Sequence, residues 1–231
     1  MQREEVRTLL CGVSDLILRN LSIIRENRHE ISIKPDGTFV TKSDFLIENL
    51  VRDYVEEKLP NSYFIGEETF DFMSGGGTTG YSIVLDPIDG TENFCSGLKE
   101  WGGSFGIWKN AVHLGSLLLM PELELRLMSG DHVTPRSSRL IGLSSSMSDE
   151  VLAQMKEPGE YRIFGCAVYN IFNVINGYYK KFINPKGAYV WDVLPGIMLA
   201  LEQGCKVIVE GKPYNGEWLD PTRKYRIEIQ R

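Results

Sequence analysis

Cysteine and histidine are both scarce in this sequence, and neither is spaced like a bonded set. The 231 residues include 4 Cys and 3 His. Cys11, Cys95, Cys166 and Cys205 show no paired spacing, and no histidine stands near them in the pattern of a zinc site. This spacing argues against a disulfide framework or a structural zinc site and indicates reduced, mostly buried thiols.

Long apolar runs and long basic runs are also missing. No apolar stretch reaches the length of a membrane span, and the first residues lead into an amphipathic segment instead of a signal peptide. Lys and Arg total 25 against 31 acidic residues, which gives a net charge of -6. We therefore expect a cytoplasmic protein with neither a nucleic-acid polymer nor a membrane as its partner.

A hydrophobic content of 42% is enough for a full core, and the pattern of elements predicts an α/β protein. The first half reads as α+β, with an amphipathic helix over 3–27, a hairpin or loop over 31–41, a helix beginning at 44 and an antiparallel meander over 103–127. The polar stretch 129–138 predicts a boundary between halves 1–135 and 136–231. The second half alternates strands (140–143, 161–164, 178–183, 205–209, 225–229) with helices (149–155, 168–176 and one from 191), which favours an α/β layer with parallel strands.

One stretch carries most of the chemistry, namely Asp86-Pro-Ile-Asp-Gly-Thr-Glu-Asn-Phe94. It follows a strand predicted over 81–85, so Asp86 should stand at a strand's carboxyl end, where open α/β sheets place their ligands. Pro87 is expected to turn the chain out of the sheet, and Gly90 permits a close approach to a ligand. Carboxylates on a stiff turn suit a hard cation such as Mg²⁺, although Asp, Pro, Gly and Thr are also ordinary turn residues.

Two further acidic positions strengthen this interpretation. Gly66-Glu67-Glu68 ends a second predicted strand, which could lie beside Asp86 in the same sheet. Asp192 stands near the start of a predicted helix, where an acid is favoured by the helix dipole even without a metal. We place Pro195 within the first turn of that helix, where proline is tolerated.

Taken together, these motifs resemble those of the inositol monophosphatase family, within the superfamily of inositol monophosphatases, fructose-1,6-bisphosphatases and 3',5'-bisphosphate nucleotidases. The matching segments are Lys34-Pro-Asp-Gly-Thr-Phe-Val-Thr-Lys-Ser-Asp44, Gly66-Glu67-Glu68, Asp86-Pro-Ile-Asp-Gly-Thr91 and Trp191-Asp192, in the family's order. The resemblance implies a layered αβαβα sandwich, a homodimer and Mg²⁺-dependent hydrolysis of a small phosphomonoester. Haloacid-dehalogenase-type phosphatases differ, because their motif has one residue between the acids and this one has two.

The resemblance also implies roles for individual residues. Glu67, Asp86, the Ile88 carbonyl, Asp89 and Asp192 would hold two or three Mg²⁺ ions. Thr91 and Asp44 would pair to orient the attacking water, with Glu67 and Lys34 completing the catalytic set. The Gly90 and Thr91 amides would bind phosphate oxygens. The substrate side would be formed by Asp89, Gly165, Cys166, Ala167, Lys186 and Asp192.

Substrate choice is left open by the sequence. There is no acid between Gly177 and Asp192, where the family's inositol-binding Glu would stand, and Lys186 occupies that region. A lysine attracts an anion, so we expect a substrate that carries a second phosphate, as in fructose-1,6-bisphosphatase or 3',5'-bisphosphate nucleotidase. The other interpretation of Lys186 is an exposed turn residue in Asn184-Pro-Lys-Gly187.

For the protein as a whole, the alternative from another functional class is a catalytically idle regulatory module that binds a sugar phosphate or a metal.

Overall fold

A computed structural model describes residues 1–73, 76, 78–145, 147–156 and 158–231. The helices are α1 Arg3–Arg19, α2 Leu21–Glu26, α3 Lys42–Lys58, α4 Thr91–Cys95, α5 Asp149–Gln154, α6 Ala167–Ile175 and α7 Val190–Glu202. The strands are β1 Ile31–Ile33, β2 Phe39–Thr41, β3 Tyr63–Gly66, β4 Tyr81–Asp89, β5 Gly102–Lys109, β6 Val112–Met120, β7 Leu125–Met128, β8 Leu140–Leu143, β9 Glu160–Ile163, β10 Lys181–Ala188, β11 Lys206–Val209, β12 Lys212–Pro213 and β13 Tyr225–Gln230. The sequence also predicts a mobile connection in the glycine-rich residues 71–80, and this segment lies partly outside the described residues.

The elements stack in five layers, which confirms the predicted αβαβα sandwich. A five-stranded sheet has the order β3-β4-β5-β6-β7, and a six-stranded sheet has the order β12-β11-β13-β10-β8-β9. Helices α1 and α3 cover one face of the first sheet, α6 and α7 lie between the sheets, and α5 packs on the outer face of the second. The β1–β2 hairpin is separate from both sheets.

Strand alternation explains how one sheet serves two cores. Successive side chains of a strand point to opposite faces. In β4, Ile83 and Leu85 therefore join the cluster under α1 and α3, whereas Val84 joins the cluster shared with α6 and α7. The cluster shared with α6 and α7 draws residues from both sides of the polar stretch 129–138, so the two predicted halves share a core and their division stays a prediction.

The second sheet corrects one expectation. Strand β8 pairs in parallel with β9 and β10, as the alternation of strands and helices predicts. Strand β13, however, pairs antiparallel with both β10 and β11, so the sheet is mixed. Among the described residues, no helix is both long and apolar enough to cross a membrane.

The amino-terminal helix is broken where the sequence predicts a continuous one over 3–27. Asn20 separates α1 from α2, with φ -97° and ψ 6°. Its side-chain amide donates to the Leu16 carbonyl at 2.8 Å. Asparagine competes in this way with the helix's own hydrogen bonds, a local effect that the apolar periodicity does not reveal.

Helix α7 contains Pro195 in its interior and not in its first turn, which corrects the sequence-based placement. Proline has no N–H, so the Trp191 carbonyl four residues earlier loses its helical donor. The buried Ser104 hydroxyl donates to that carbonyl at 2.5 Å. Strand β5 thus supplies from another layer the hydrogen bond that the helix lacks.

This compensation predicts a coupling between the two residues. Ser104→Ala leaves the buried Trp191 carbonyl without a donor and should lower the free energy of unfolding by about 1–3 kcal/mol. The same change made in a Pro195→Ala background should cost clearly less, because the substituted alanine has a backbone N–H that can donate to that carbonyl. Urea denaturation of the four proteins in the double-mutant cycle measures this coupling. Equal costs in the two backgrounds would show that the bond does not replace the missing N–H.

Candidate active site

The site begins where two parallel strands end side by side. Strands β3 and β4 are parallel with Gly66 opposite Leu85, and the Glu67 amide donates to the Leu85 carbonyl at 3.2 Å. This pairing places Glu67 beside Asp86, as the sequence predicts. One ligand atom each of Glu67, Asp86 and Asp192 lies within 4.8 Å of the others. Three carboxylates distant in sequence are therefore neighbours in the fold.

Strand β4 does not leave the sheet at Pro87, as the sequence led us to expect. The strand continues to Asp89, and its pairing with β5 changes register between Asp86 and Asp89. A bulge of this kind accommodates proline in a sheet and re-aims nearby side chains. Both aspartates consequently face the site from one strand.

Asp86 is the most confined of the acids. It is 1% exposed, and neither of its carboxylate oxygens has a hydrogen-bond partner among the described residues. Burial raises the pKa of Asp86, and the charges of Glu67, Asp89 and Asp192 raise it further. A buried carboxylate without a partner is costly, so this arrangement calls for a cation. An all-oxygen donor set is the kind that Mg²⁺ prefers.

Asp192 both contacts the start of a helix and belongs to the acidic cluster. It occupies the first turn of α7, and its Oδ2 accepts from the Tyr189 amide at 2.7 Å. Burial raises the pKa of Asp192, and Glu67 and Asp89 add to the rise. Because a carboxylate has two oxygens, capping the helix and contributing to the acidic cluster are compatible.

Asp89 lies against the amino terminus of α6. Its Oδ2 accepts from the Val168 amide at 2.5 Å and from the Cys166 thiol at 3.1 Å. Burial raises the pKa of Asp89 to about 7, although these hydrogen bonds oppose the rise. Cys166 also accepts from the Tyr169 amide at 3.3 Å. The thiol at the predicted substrate position therefore links the helix to a predicted metal ligand.

Lys34 reaches the cluster from the segment between β1 and β2. Its Nζ lies 2.8 Å from Glu67 Oε1 and 2.8 Å from Glu68 Oε1. Burial raises the pKa of Glu68 to about 8, with a further contribution from Glu67, and Lys34 only partly offsets this. The lysine thus supplies positive charge beside the acids.

Among the hydrogen bonds of the described residues, none joins Asp44 directly to Thr91, and each side chain has another partner. Asp44 caps α3, and its Oδ2 accepts from the Thr41 amide at 2.7 Å and the Thr41 hydroxyl at 2.6 Å. The Thr91 hydroxyl donates to the Ile88 carbonyl at 3.0 Å. Asp44 Oδ1 is buried and has no hydrogen-bond partner in the described part of the chain, and burial raises the pKa of Asp44 to about 6. The hydrogen bonds at the start of α3 therefore satisfy Oδ2 of Asp44, and among the described residues only Oδ1 lacks a partner.

Gly90 makes the turn after β4. Its φ is +84°, and it is the N-cap of α4. A Cβ here would lie 3.0 Å from the Cys166 Cβ and 3.3 Å from the Gly165 carbonyl. Glycine therefore allows the Asp86–Thr91 motif and the Gly165 segment to approach from different layers.

A buried support for Glu67 and Glu68 was missed by sequence reasoning. Glu48 on α3 is fully buried, and its Oε2 accepts from the Glu68 amide at 2.9 Å. Arg52 pairs with Glu48 at 3.0 Å, and a Cβ on Gly66 would lie 2.5 Å from the Glu48 carboxyl carbon. The only sequence signal was a Glu and an Arg four residues apart on α3.

A cavity of about 1060 Å³ gathers the predicted residues. Its walls contain every predicted site residue except Asp44, namely Lys34, Glu67, Asp86, Ile88, Asp89, Gly90, Thr91, Gly165, Cys166, Ala167, Lys186 and Asp192. Lys224, which sequence reasoning did not select, also lines it. Residues from both halves of the chain thus share one cavity.

Comparison with known proteins agrees with this geometry. The model of the Inositol monophosphatase family matches residues 3–139. A histidinol-phosphatase of Mycobacterium tuberculosis is 35% identical over 98 residues, which cover 42% of this chain and 36% of that protein. An inositol-1-monophosphatase of Rhizobium meliloti is 22% identical over 198 residues, covering 76% of this chain and 73% of that protein. The crystal structure of an IMPase/NADP phosphatase complexed with Mg²⁺ and phosphate matches with a TM-score of 0.81 and 17% identity, covering 99% and 91% of the two chains.

Proposed function

The chain belongs to the inositol monophosphatase family of phosphomonoester hydrolases, and we propose that it hydrolyses a small phosphomonoester by direct attack of water in a Mg²⁺-dependent reaction. The observation that supports this proposal best is the convergence of Glu67, Asp86 and Asp192, in which the buried Asp86 carboxylate has no hydrogen-bond partner among the residues that the structure describes. A cytoplasmic location and assembly as a homodimer stay predictions from the sequence.

The donor set fits divalent cations. Glu67, Asp86 and Asp192 would hold Mg²⁺ together with Asp89 and the Ile88 carbonyl, in two or three sites. When bound, Mg²⁺ would lower the pKa of a water and neutralise charge on the phosphoryl group. Asp86 is suited to this position because, within the described ranges, neither of its oxygens has a hydrogen-bond partner.

The remaining residues would bind and orient the reactants. The Gly90 and Thr91 amides would hold phosphate oxygens at the start of α4. Thr91 and Asp44 would position the water, and Asp44 Oδ1, which has no partner among the described residues, would accept a hydrogen bond for that purpose. Lys34 would exchange its bonds to Glu67 and Glu68 for contact with the phosphoryl group or a bound water.

Mg²⁺-dependent phosphate release tests the proposal. Wild-type protein should release phosphate from inositol 1-phosphate or histidinol phosphate with Mg²⁺ and not with EDTA. Asp89→Asn should lower kcat/KM at least about 100-fold, because even residues that only support a metal ligand are commonly worth 10–100-fold. Asp53→Asn, an exposed acid on α3 outside the cavity, is the matched control. Metal binding without turnover of any phosphate ester would favour the idle binding module.

A bisphosphorylated substrate is the second candidate, and the shape of β10 favours it. The pairing of β10 with β13 changes register between Asn184 and Ala188, so Lys186 lies on a bulge at the cavity wall and not in a turn between elements. The Asn184 side chain accepts from the Gly187 amide at 3.1 Å and holds this bulge. Lys224 lies alongside, since a Cβ on Gly187 would be 3.3 Å from its Cβ. Two exposed lysines would receive a second phosphate.

Lys186→Ala distinguishes this candidate from a monophosphatase. The variant should raise KM about tenfold or more for fructose 1,6-bisphosphate and adenosine 3',5'-bisphosphate, because a hydrogen bond to a charged group contributes about 1.5–3 kcal/mol. KM for inositol 1-phosphate should change much less. Lys180→Ala removes an exposed lysine that does not line the cavity and serves as control. An unchanged bisphosphate KM would remove Lys186 from the substrate side.

A further inference from the structure

The cavity is larger than the acidic cluster and a single phosphate require. Its volume of about 1060 Å³ lies at the upper end of the range for pockets that enclose drug-sized ligands. Beyond the acids the wall is formed in part by aromatic rings, including Phe72, Tyr189 and Trp191. This part of the cavity would lie around the leaving group of a substrate whose phosphate sits at the acids.

Four rings, Phe70, Phe72, Tyr189 and Trp191, form what we call the aromatic patch. Tyr189 stacks on Trp191 with centroids 4.6 Å apart. Phe72 makes T-shaped contacts with Phe70, Tyr189 and Trp191, at centroid distances of 5.0, 5.6 and 6.1 Å. Trp191 is only 3% exposed, whereas Phe72 is 46% exposed. Phe72 is therefore held by three rings while a large part of its own ring remains open.

The aromatic patch is fixed to the same two segments that supply the acids. Phe70 and Phe72 follow Glu67, and the Phe70 amide donates to the Gly66 carbonyl at 2.9 Å. Tyr189 and Trp191 flank the start of α7, where the Tyr189 amide donates to Asp192. The distance between the rings and the acidic cluster is thus set by short, hydrogen-bonded connections.

A cation completes the aromatic patch. Lys224 Nζ lies 4.8 Å from the centroid of the Tyr189 ring. Its charge also acts on Asp192, where it opposes the pKa rise caused by burial, and on Asp36 in the β1–β2 connection. An exposed lysine over an aromatic face can engage an anionic substituent of a ligand that stacks on the neighbouring ring.

We propose that the aromatic patch is a specificity subsite for a planar aromatic ring in the leaving group of the substrate, with the ring stacked on Phe72 and an anionic substituent of that ring bound by Lys224. This inference rests on the proposed phosphatase function and narrows its substrates to phosphomonoesters of alcohols that carry an aromatic or heteroaromatic ring. Stacking of two aromatic rings adds about 0.5–1.5 kcal/mol of favourable binding free energy to that of burying the ring surface, and an aliphatic ring of similar size lacks this contribution.

Matched ring pairs test the subsite. We expect kcat/KM for 2-phenylethyl phosphate to exceed that for 2-cyclohexylethyl phosphate by about two- to tenfold, the range that this stacking energy implies. Phe72→Leu should bring the ratio close to one, and Phe72→Tyr, which keeps a ring, should retain it. Met73→Leu changes an adjacent side chain that is 92% exposed and should also retain the ratio. A wild-type ratio near one, or a ratio that Phe72→Leu leaves intact, would overturn the inference.

A binding measurement separates this inference from the proposed function. Calorimetric Kd values for 3-phenylpropylphosphonate and 3-cyclohexylpropylphosphonate should show the same preference in wild type and its loss in Phe72→Leu, whether or not any ester is hydrolysed. For a para-carboxylated phenyl ligand, Lys224→Met should weaken binding while leaving that of the uncharged phenyl ligand within about twofold. Mg²⁺-dependent hydrolysis without ring preference would support the proposed function and refute the subsite. Ring-selective binding without hydrolysis would support the subsite and refute the proposed function.

Discussion

Like charges buried side by side are the constraint on which this structure depends. Asp86 is enclosed, no residue in the described part of the chain gives either of its oxygens a hydrogen bond, and three other carboxylates raise its pKa beyond the effect of burial. Such a group opposes folding unless positive charge or protons compensate it. Lys34 places one positive charge beside Glu67 and Glu68. None of the hydrogen bonds of the described residues joins Lys34 to Asp86. The remaining deficit is what a divalent cation would fill, and it connects the fold of this chain to its proposed chemistry.

The layered architecture holds these charges in place from several directions. Parallel pairing of β3 and β4 puts Glu67 beside Asp86, the amino terminus of α6 binds Asp89, and the first turn of α7 carries Asp192. Each support comes from a different layer or a different edge of the fold. Separating the backbone segments that carry these acids would therefore disturb these contacts. An arrangement held in this way orients its charged groups when the protein folds, so these groups need little reorganisation during turnover.

What could be predicted from the sequence was what is encoded locally. The Asp86–Thr91 motif, the Gly66–Glu68 turn and Asp192 each combine a strand or helix end with an acid, so both their elements and their meeting point were foreseeable. The break at Asn20, the interior position of Pro195 and the separate partners of Asp44 and Thr91 were not, because each depends on a hydrogen bond that periodicity does not express. Glu48, Lys224 and Phe72 were missed for another reason. Their importance lies only in which distant segment they touch, and one sequence does not record that.

Magnesium binding coupled to proton release tests the central claim most directly. Metal-free protein should be titrated with Mg²⁺ by calorimetry near pH 6.5 in two buffers of different ionisation enthalpy, for wild type and Asp86→Asn. Because burial raises the pKa of Asp89 to about 7, this carboxyl is protonated in much of the metal-free protein at this pH. Wild type should therefore bind Mg²⁺ with buffer-dependent heat from released protons, and Asp86→Asn should lose most of the binding. Absence of Mg²⁺ uptake by wild type, or equal uptake by both proteins, would contradict the account.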